Sequence, residues 1–212
     1  MGVSVLYSAI PAFSTLYTRL QREKALSILV VYLFPYGCGI FRFFEIEPEE
    51  INEILEDVIE THQETFGSEL EADRVIAELR SELRLTRQAY PGIEDRRASL
   101  EESSFEINER LSQELSRRKV ANADKIVGKL MLGDQTLAPT LLSTKESLGL
   151  ISRELVSEGA SIFRQIDPET LFARNEWCFD DFKRWRDLYL SADDKNEEIL
   201  VRVPFFFSDL TC

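Results

Sequence analysis

Apolar and small polar residues alternate at the start of the chain. Across 3–10 the order is Val-Ser-Val-Leu-Tyr-Ser-Ala-Ile, and Pro11 follows. A period of two with β-branched content predicts a strand, which the proline ends. Ser14 stands where a short helix carrying Leu16, Tyr17 and Leu20 needs a cap. The run 25–34 is almost wholly apolar, so its periodicity does not choose between a buried helix and a buried strand. Gly37-Cys38-Gly39 predicts a turn, and 40–46 alternates as a second strand.

Glu47-Pro48-Glu49-Glu50 is a helix start, because proline suits the first turn and the acids complement the helix dipole. Ile51, Ile54, Leu55, Val58 and Ile59 then share one face, and Phe66-Gly67-Ser68 ends the helix. From 69 to 119 a three-and-four rhythm runs through Ile76, Leu79, Leu83, Tyr90, Ile93, Leu100, Ile107 and Leu111. That rhythm is a helix seam, with weak positions at Thr86, Arg97 and Ser104. Pro91-Gly92 interrupts it, which predicts two antiparallel helices, a long hairpin inserted at about 69–119.

Beyond Asn122, Ile126, Val127, Leu130 and Met131 predict a short amphipathic helix stopped at Gly133-Asp134. A loop through Ala138-Pro139 follows. Ser143 with Glu146 forms a capping box, opening a helix over 143–157 that carries Leu148, Ile151, Leu155 and Val156. Asp167-Pro168-Glu169 starts another helical turn. The terminal helix, 177–192, bears Phe179, Phe182, Trp185, Leu188 and Tyr189, and Asp193-Asp194-Lys195-Asn196 reads as a solvated turn. A final strand over 198–203 precedes a short tail at 204–212. The whole predicts one α+β domain over 1–212, predominantly helical, carrying the hairpin as an insertion.

The C-terminal order resembles the YfbM-like bacterial domain-of-unknown-function family. Met1-Gly2 opening a strand, the Gly133-Asp134 loop, the capped helix, and Ile166-Asp167-Pro168-Glu169-Thr170-Leu171 carry the likeness. So do Phe179-Asp180-Asp181-Phe182 and Glu198-Ile199-Leu200-Val201. It covers the first ten residues and about 125–203. The Leu-His-Leu-Leu-Thr-Gly-like segment of that family has no counterpart here, and the acidic helices at 47–120 stand in its place. The resemblance implies an α+β fold with N- and C-terminal strands in one sheet. It implies no activity, and carries no functional residue across.

Composition sharpens the picture of partners. With 44% apolar residues the 212-residue chain can build a core, and a formal charge of −13 predicts high solubility. That charge argues against nucleic acid, which needs a basic face, and favours a basic protein. Between residues 45 and 120 lie 21 acidic and 10 basic residues, so the stretch from the Pro48 helix through the predicted hairpin holds most of the negative charge. Cys38, Cys178 and Cys212 are far apart and form no CxxC pair, which suits a reducing cytosol and predicts no disulfide framework or zinc site. The ten-residue apolar run is about half of what a bilayer-crossing helix needs, and no basic leader precedes it. A cytoplasmic location without a membrane role is the expectation.

Candidate chemistry is sparse. His62 is the sole histidine and reads as a partly exposed helix residue between Glu60 and Glu64. The acids at 49, 50, 53, 56, 57 and 60 lie along one helix, whereas metal sites need ligands converging from several elements. No GxSxG elbow and no glycine-rich phosphate loop is present. We therefore assign no catalytic, cofactor-binding or metal residue. The leading expectation is a non-enzymatic interaction module, an adaptor or an inhibitor of immunity type. Its acidic hairpin surface would comprise Glu71, Asp73, Glu78, Glu82, Glu101, Glu102, Glu106 and Glu109. The rival is an enzyme or small-molecule binder using a pocket with Cys38, Trp177, Trp185 and Tyr189. A homodimer built through the hairpin is the third reading.

Overall fold

The computed structural model of the chain describes residues 5–34, 40–41, 48–66, 69–100, 103–141 and 146–204. Five strands form one sheet: β1 (Val5–Pro11), β2 (Arg97–Leu100), β3 (Gln135–Leu141), β4 (Glu146–Ile151) and β5 (Glu197–Pro204). The order across the sheet is β2-β1-β5-β4-β3, and every neighbouring pair is antiparallel. The strand predicted at the N-terminus therefore pairs with the strand predicted near the C-terminus, Tyr7 opposite Val201.

Strand parity sorts the core into two halves. Val5, Tyr7 and Ala9 share one face with Ala98, Leu100, Ile199 and Val201, while Leu6, Ile10, Leu148, Leu150 and Leu200 share the other. Every residue of β1 is buried, because helices cover both faces. The second set packs with α1 (Thr15–Arg22), α2 (Lys24–Leu33), α3 (Pro48–Thr61), α4 (Gln63–Phe66) and α5 (Glu69–Ala89). The first packs with α6 (Ser103–Arg117), α7 (Ala123–Leu132), α8 (Arg153–Arg164), α9 (Pro168–Leu171) and α10 (Trp177–Lys195). The architecture is α+β and predominantly helical, a sheet between two helical layers. Among the described residues no helix is long and apolar enough to cross a membrane.

Ser14 caps α1 as expected, its Oγ accepting from the Tyr17 N–H at 3.1 Å. The ambiguous apolar run is helix α2, buried along nearly its whole length between the sheet and α3 to α5. Ile40 and Phe41 are buried. The Gly37-Cys38-Gly39 turn, residues 42–46 of the second predicted strand, Ser143 of the capping box and residues 205–212 of the tail lie outside the described residues.

Four expectations are corrected. The segments flanking Pro91-Gly92 do not form a hairpin. After Gly92, left-handed at φ 77°, the chain makes a 3-10 turn (Ile93–Asp95) and then the edge strand β2. That strand carries the chain from one side of the sheet to the other, so α5 and α6 pack on opposite faces. Arg97-Ala98-Ser99-Leu100 alternates with period two, but four residues of alternation are hidden within a longer helical rhythm. Ala138-Pro139 lies within β3, and residues 146–151 form β4 rather than a helix. Gly149 suits β4: a Cβ there would stand 2.7 Å from the Leu132 carbonyl oxygen, so the glycine admits the end of α7 against the strand. The helix begins instead at Arg153, capped by Ser152. Asp193-Asp194-Lys195 is the last turn of α10, closed by Asn196 in the left-handed conformation.

Candidate functional site

The helical hairpin of this chain lies one element downstream of its predicted place. α6 and α7 are joined through residues 118–122, where Lys119 (φ 61°) and Asn122 (φ 56°) are left-handed and let the chain reverse quickly. A connection this short makes them antiparallel neighbours. Ile107, Leu111 and Leu115 of α6, with Val127, Leu130 and Met131 of α7, face the core beneath. The end of α7 is fixed by two buried tyrosines. Tyr189 donates to the Leu130 carbonyl at 2.6 Å and Tyr7 to that of Met131 at 3.0 Å, satisfying helix-terminal acceptors. Asp134 accepts from the Ser152 N–H and hydroxyl at 2.7 and 2.6 Å, tying the same end to the start of α8.

Between the solvent-facing sides of these helices runs a groove of about 710 Å³. Phe105, Met131 and Leu132 lie at one end of the helix pair, and Ser116, Arg117 and Asp124 at the other. Phe105 is 63% exposed although it is large and apolar. Asn108 also lines the groove, and its Oδ1 is buried without a hydrogen-bond partner among the described residues. Glu109 and Asp124 supply carboxylates, while Arg117 lies 3.7 Å from Glu114.

Gly128 is the telling residue. It sits inside α7, lines the groove, and a Cβ built on it meets nothing within 4 Å. Glycine in a helix interior costs about 0.5–1 kcal/mol relative to alanine. No neighbour requires the lack of a side chain, so Gly128→Ala should stabilise the protein by about 0.5–1 kcal/mol in urea unfolding. A destabilised variant would mean that packing, rather than open space, accounts for the glycine.

Comparison with known protein families, with curated proteins and with solved structures finds no match for this chain. The residues themselves must carry the functional argument.

The predicted acidic surface is divided by the sheet. Glu71, Asp73, Glu78 and Glu82 belong to α5 on one side, and Arg19 of α1 reaches Glu78 and lies 3.8 Å from Glu82. Glu106 and Glu109 belong to α6 on the other side, and Glu109 accepts from Gln113 at 3.1 Å. Glu101 and Glu102, like Cys38, lie outside the described residues. A hollow of about 500 Å³ between α3 and α5 mixes Asp73 with Arg80 and Arg84, and so presents no single charge.

Of the candidate pocket residues, Trp185 and Tyr189 are fully buried in an aromatic cluster. The Trp185 ring stands 5.1 Å from Phe163, 5.6 Å from Tyr189 and 5.9 Å from Tyr7. Trp177 is 56% exposed at the start of α10. These positions make the first two core residues and separate them from the third.

One further cluster has ligand-like geometry. Acidic and sulfur atoms of Glu106, Glu176 and Cys178 lie within 4.8 Å of one another. Arg110 already reaches both carboxylates, at 2.8 Å for Glu176, donates to the Leu171 carbonyl at 2.8 Å, and lies 4.9 Å over the Phe172 ring. Burial, then the nearby Glu106 carboxylate, pushes the Cys178 thiol up to about 11, so it stays protonated at neutral pH. The cluster is an ion-paired joint between α6 and the loop preceding α10. His62 is likewise engaged, its Nε2 3.1 Å from the Tyr32 hydroxyl. Burial, then nearby Lys24, lowers its pKa and favours the neutral ring.

Two buried carboxyls open β5. Glu198 accepts from the Tyr17 hydroxyl at 3.3 Å, and its second oxygen is buried without a partner among the described residues. Glu197 is 2% exposed and meets Arg96, 10% exposed, at 2.7 Å. Burial raises the pKa of both carboxyls, and for Glu197 it outweighs the pull of Arg96.

Proposed function

We propose that this protein is a non-enzymatic protein-interaction module whose partner engages the helical hairpin of α6 and α7. The carrying observation is the groove itself, where an interior helix glycine and an exposed phenylalanine converge on open space. Side chains that fold a protein do not ordinarily leave such groups idle on one surface. A net charge of −13 steers the choice of partner toward a basic protein, and the same reading places the protein in the cytoplasm.

The test uses the full chain as bait in its native cell, with Phe105→Asp as the comparison. Phe105 is largely exposed, so this substitution should change stability by no more than about 0.5 kcal/mol. Mass spectrometry should find partners held by the wild-type chain and lost from the variant. Identical partner sets for the two baits would remove the groove from the function.

A further inference from the structure

Resting on that reading, we infer that residues 205–212 of this chain fold back into the α6–α7 groove and cover it until the partner displaces them. The segment reads Phe-Phe-Phe-Ser-Asp-Leu-Thr-Cys and follows directly on β5, whose last residue is Pro204.

The strand delivers the segment to the apolar end of the groove. Val203 is 8% exposed and belongs to the core on the side of the sheet that carries α6 and α7. Two positions earlier, Val201 lies opposite Gly149. A Cβ on Gly149 would stand 3.0 Å from Val201 Cγ1 and 2.7 Å from the Leu132 carbonyl oxygen. Leu132 lines the groove with Met131 and Phe105. From Val201 to Pro204 the strand advances about 10 Å, so it ends within easy reach of the groove.

Length agrees with that placement. Along α6 the lining runs from Phe105 to Arg117, twelve steps that at a 1.5 Å rise span about 18 Å. Eight extended residues reach about 26–29 Å, enough to cross the groove with about 8–11 Å left for the path from the sheet. The far end of the segment, with Cys212, then lies near Ser116 and Asp124.

The chemistry matches in order. Phe205, Phe206 and Phe207 enter first and meet Phe105, which is 63% exposed, together with Met131 and Leu132. Burying a phenylalanine stabilises by about 1.5–3 kcal/mol, and ring pairing adds to it. Beyond that end the lining is small or polar, with Ser112, Ser116 and Gly128 admitting a close backbone. The lining mixes Glu109 and Asp124 with Arg117, so charge selects neither a strongly basic nor a strongly acidic occupant. A segment whose only charged side chain is Asp209 suits it.

The experiment uses the full chain and its own Cys212 as a probe. Ser116→Cys places a thiol at the far end of the groove, and Ala77→Cys places one on α5, across the sheet. Both positions are exposed. A disulfide needs the two Cα atoms within about 7 Å. Under mild oxidant, with peptide mapping by mass spectrometry, the Ser116→Cys chain should join Cys212 at least tenfold faster than the Ala77→Cys chain. Adding Gly128→Leu, which fills the groove, should remove that advantage without lowering the melting temperature. The triple variant Phe205→Ser, Phe206→Ser, Phe207→Ser, used as bait, should capture more of the partners that Phe105→Asp loses.

Equal cross-linking at the two positions, or indifference to Gly128→Leu, would overturn the inference. So would a disulfide joining two chains, which would assign the groove to the segment of a second copy. Partner capture unchanged or reduced by the triple variant would remove the competition and overturn it as well. Loss of partners by Phe105→Asp without the Ser116→Cys cross-link would overturn this inference alone and leave the interaction-module reading standing. The cross-link together with identical partners for Phe105→Asp would sink the interaction-module reading, and with it any partner for the segment to oppose.

Discussion

Replacing Trp185 by alanine is expected to cost about 3–5 kcal/mol of folding stability, a large share of the 5–15 kcal/mol that such domains possess. The side chain is fully buried between α10 and the sheet. It packs tilted or edge-on against Tyr7 of β1, Phe163 of α8, and Phe182 and Tyr189 of α10. Truncation leaves a cavity in a layer whose other members are held from several elements and cannot collapse into it. Trp185 Nε1 has no hydrogen-bond partner among the described residues, so Trp185→Phe loses ring area but no bond and should cost clearly less. Urea unfolding followed by far-ultraviolet circular dichroism distinguishes the two. A loss under about 1 kcal/mol for the alanine variant would mean that α10 is held mainly by other contacts.

The second large effect is expected at the joint between the 3-10 turn and β5. Arg96→Met removes the cation facing Glu197, which is 2% exposed, and should destabilise the protein by about 3–5 kcal/mol near neutral pH. The cost comes from stranding a buried carboxylate rather than from the worth of the ion pair itself. The sign of the pH dependence follows from the raised pKa of Glu197. Its folded form holds the proton more tightly than the unfolded chain does. Its contribution is therefore complete below the unfolded carboxyl range and is lost as pH rises through the folded pKa. Without Arg96 that pKa rises further, so the deficit of the variant should be largest at neutral pH and shrink in acid. Adding Glu197→Leu should restore much of the loss and flatten the pH dependence. A deficit independent of pH would place its origin in lost packing of the arginine stem.

The groove was only partly legible from residue order. The pattern predicts α7 as a short helix, as it is, and its Gly133 stop is a glycine at φ 89°. Glu109 is legible as one of the acids, whereas residue order does not mark Phe105 or Gly128 as groove residues. The available signal was Gly128 itself, an unexplained glycine within an otherwise helical pattern. Phe105 stands off the seam formed by Ile107 and Leu111, and an apolar residue off a seam is ambiguous until its exposure is known. The acidic surface failed as a single feature for a different reason. Charge was counted along the chain, whereas β2 divides that stretch between the two sides of the sheet.

Patterning by itself determined the α+β class, the first and last strands β1 and β5, the capped start of α1, the Pro48 helix and the long aromatic helix α10. Each of these carries its information within a few residues, as alternation, a cap or a one-sided stripe. Tertiary structure decided what depended on partners distant in sequence. It made 146–151 a strand, because Leu148 and Leu150 complete the face begun by Leu200 and Gly149 leaves room for the end of α7. It made Trp185 and Tyr189 core rather than pocket. It also moved the hairpin to α6 and α7, because Ala98 and Leu100 find Tyr7 and Val5 across the sheet edge. A period shows that a residue wants burial; only the neighbours that bury it settle which element it belongs to and which surface is left open.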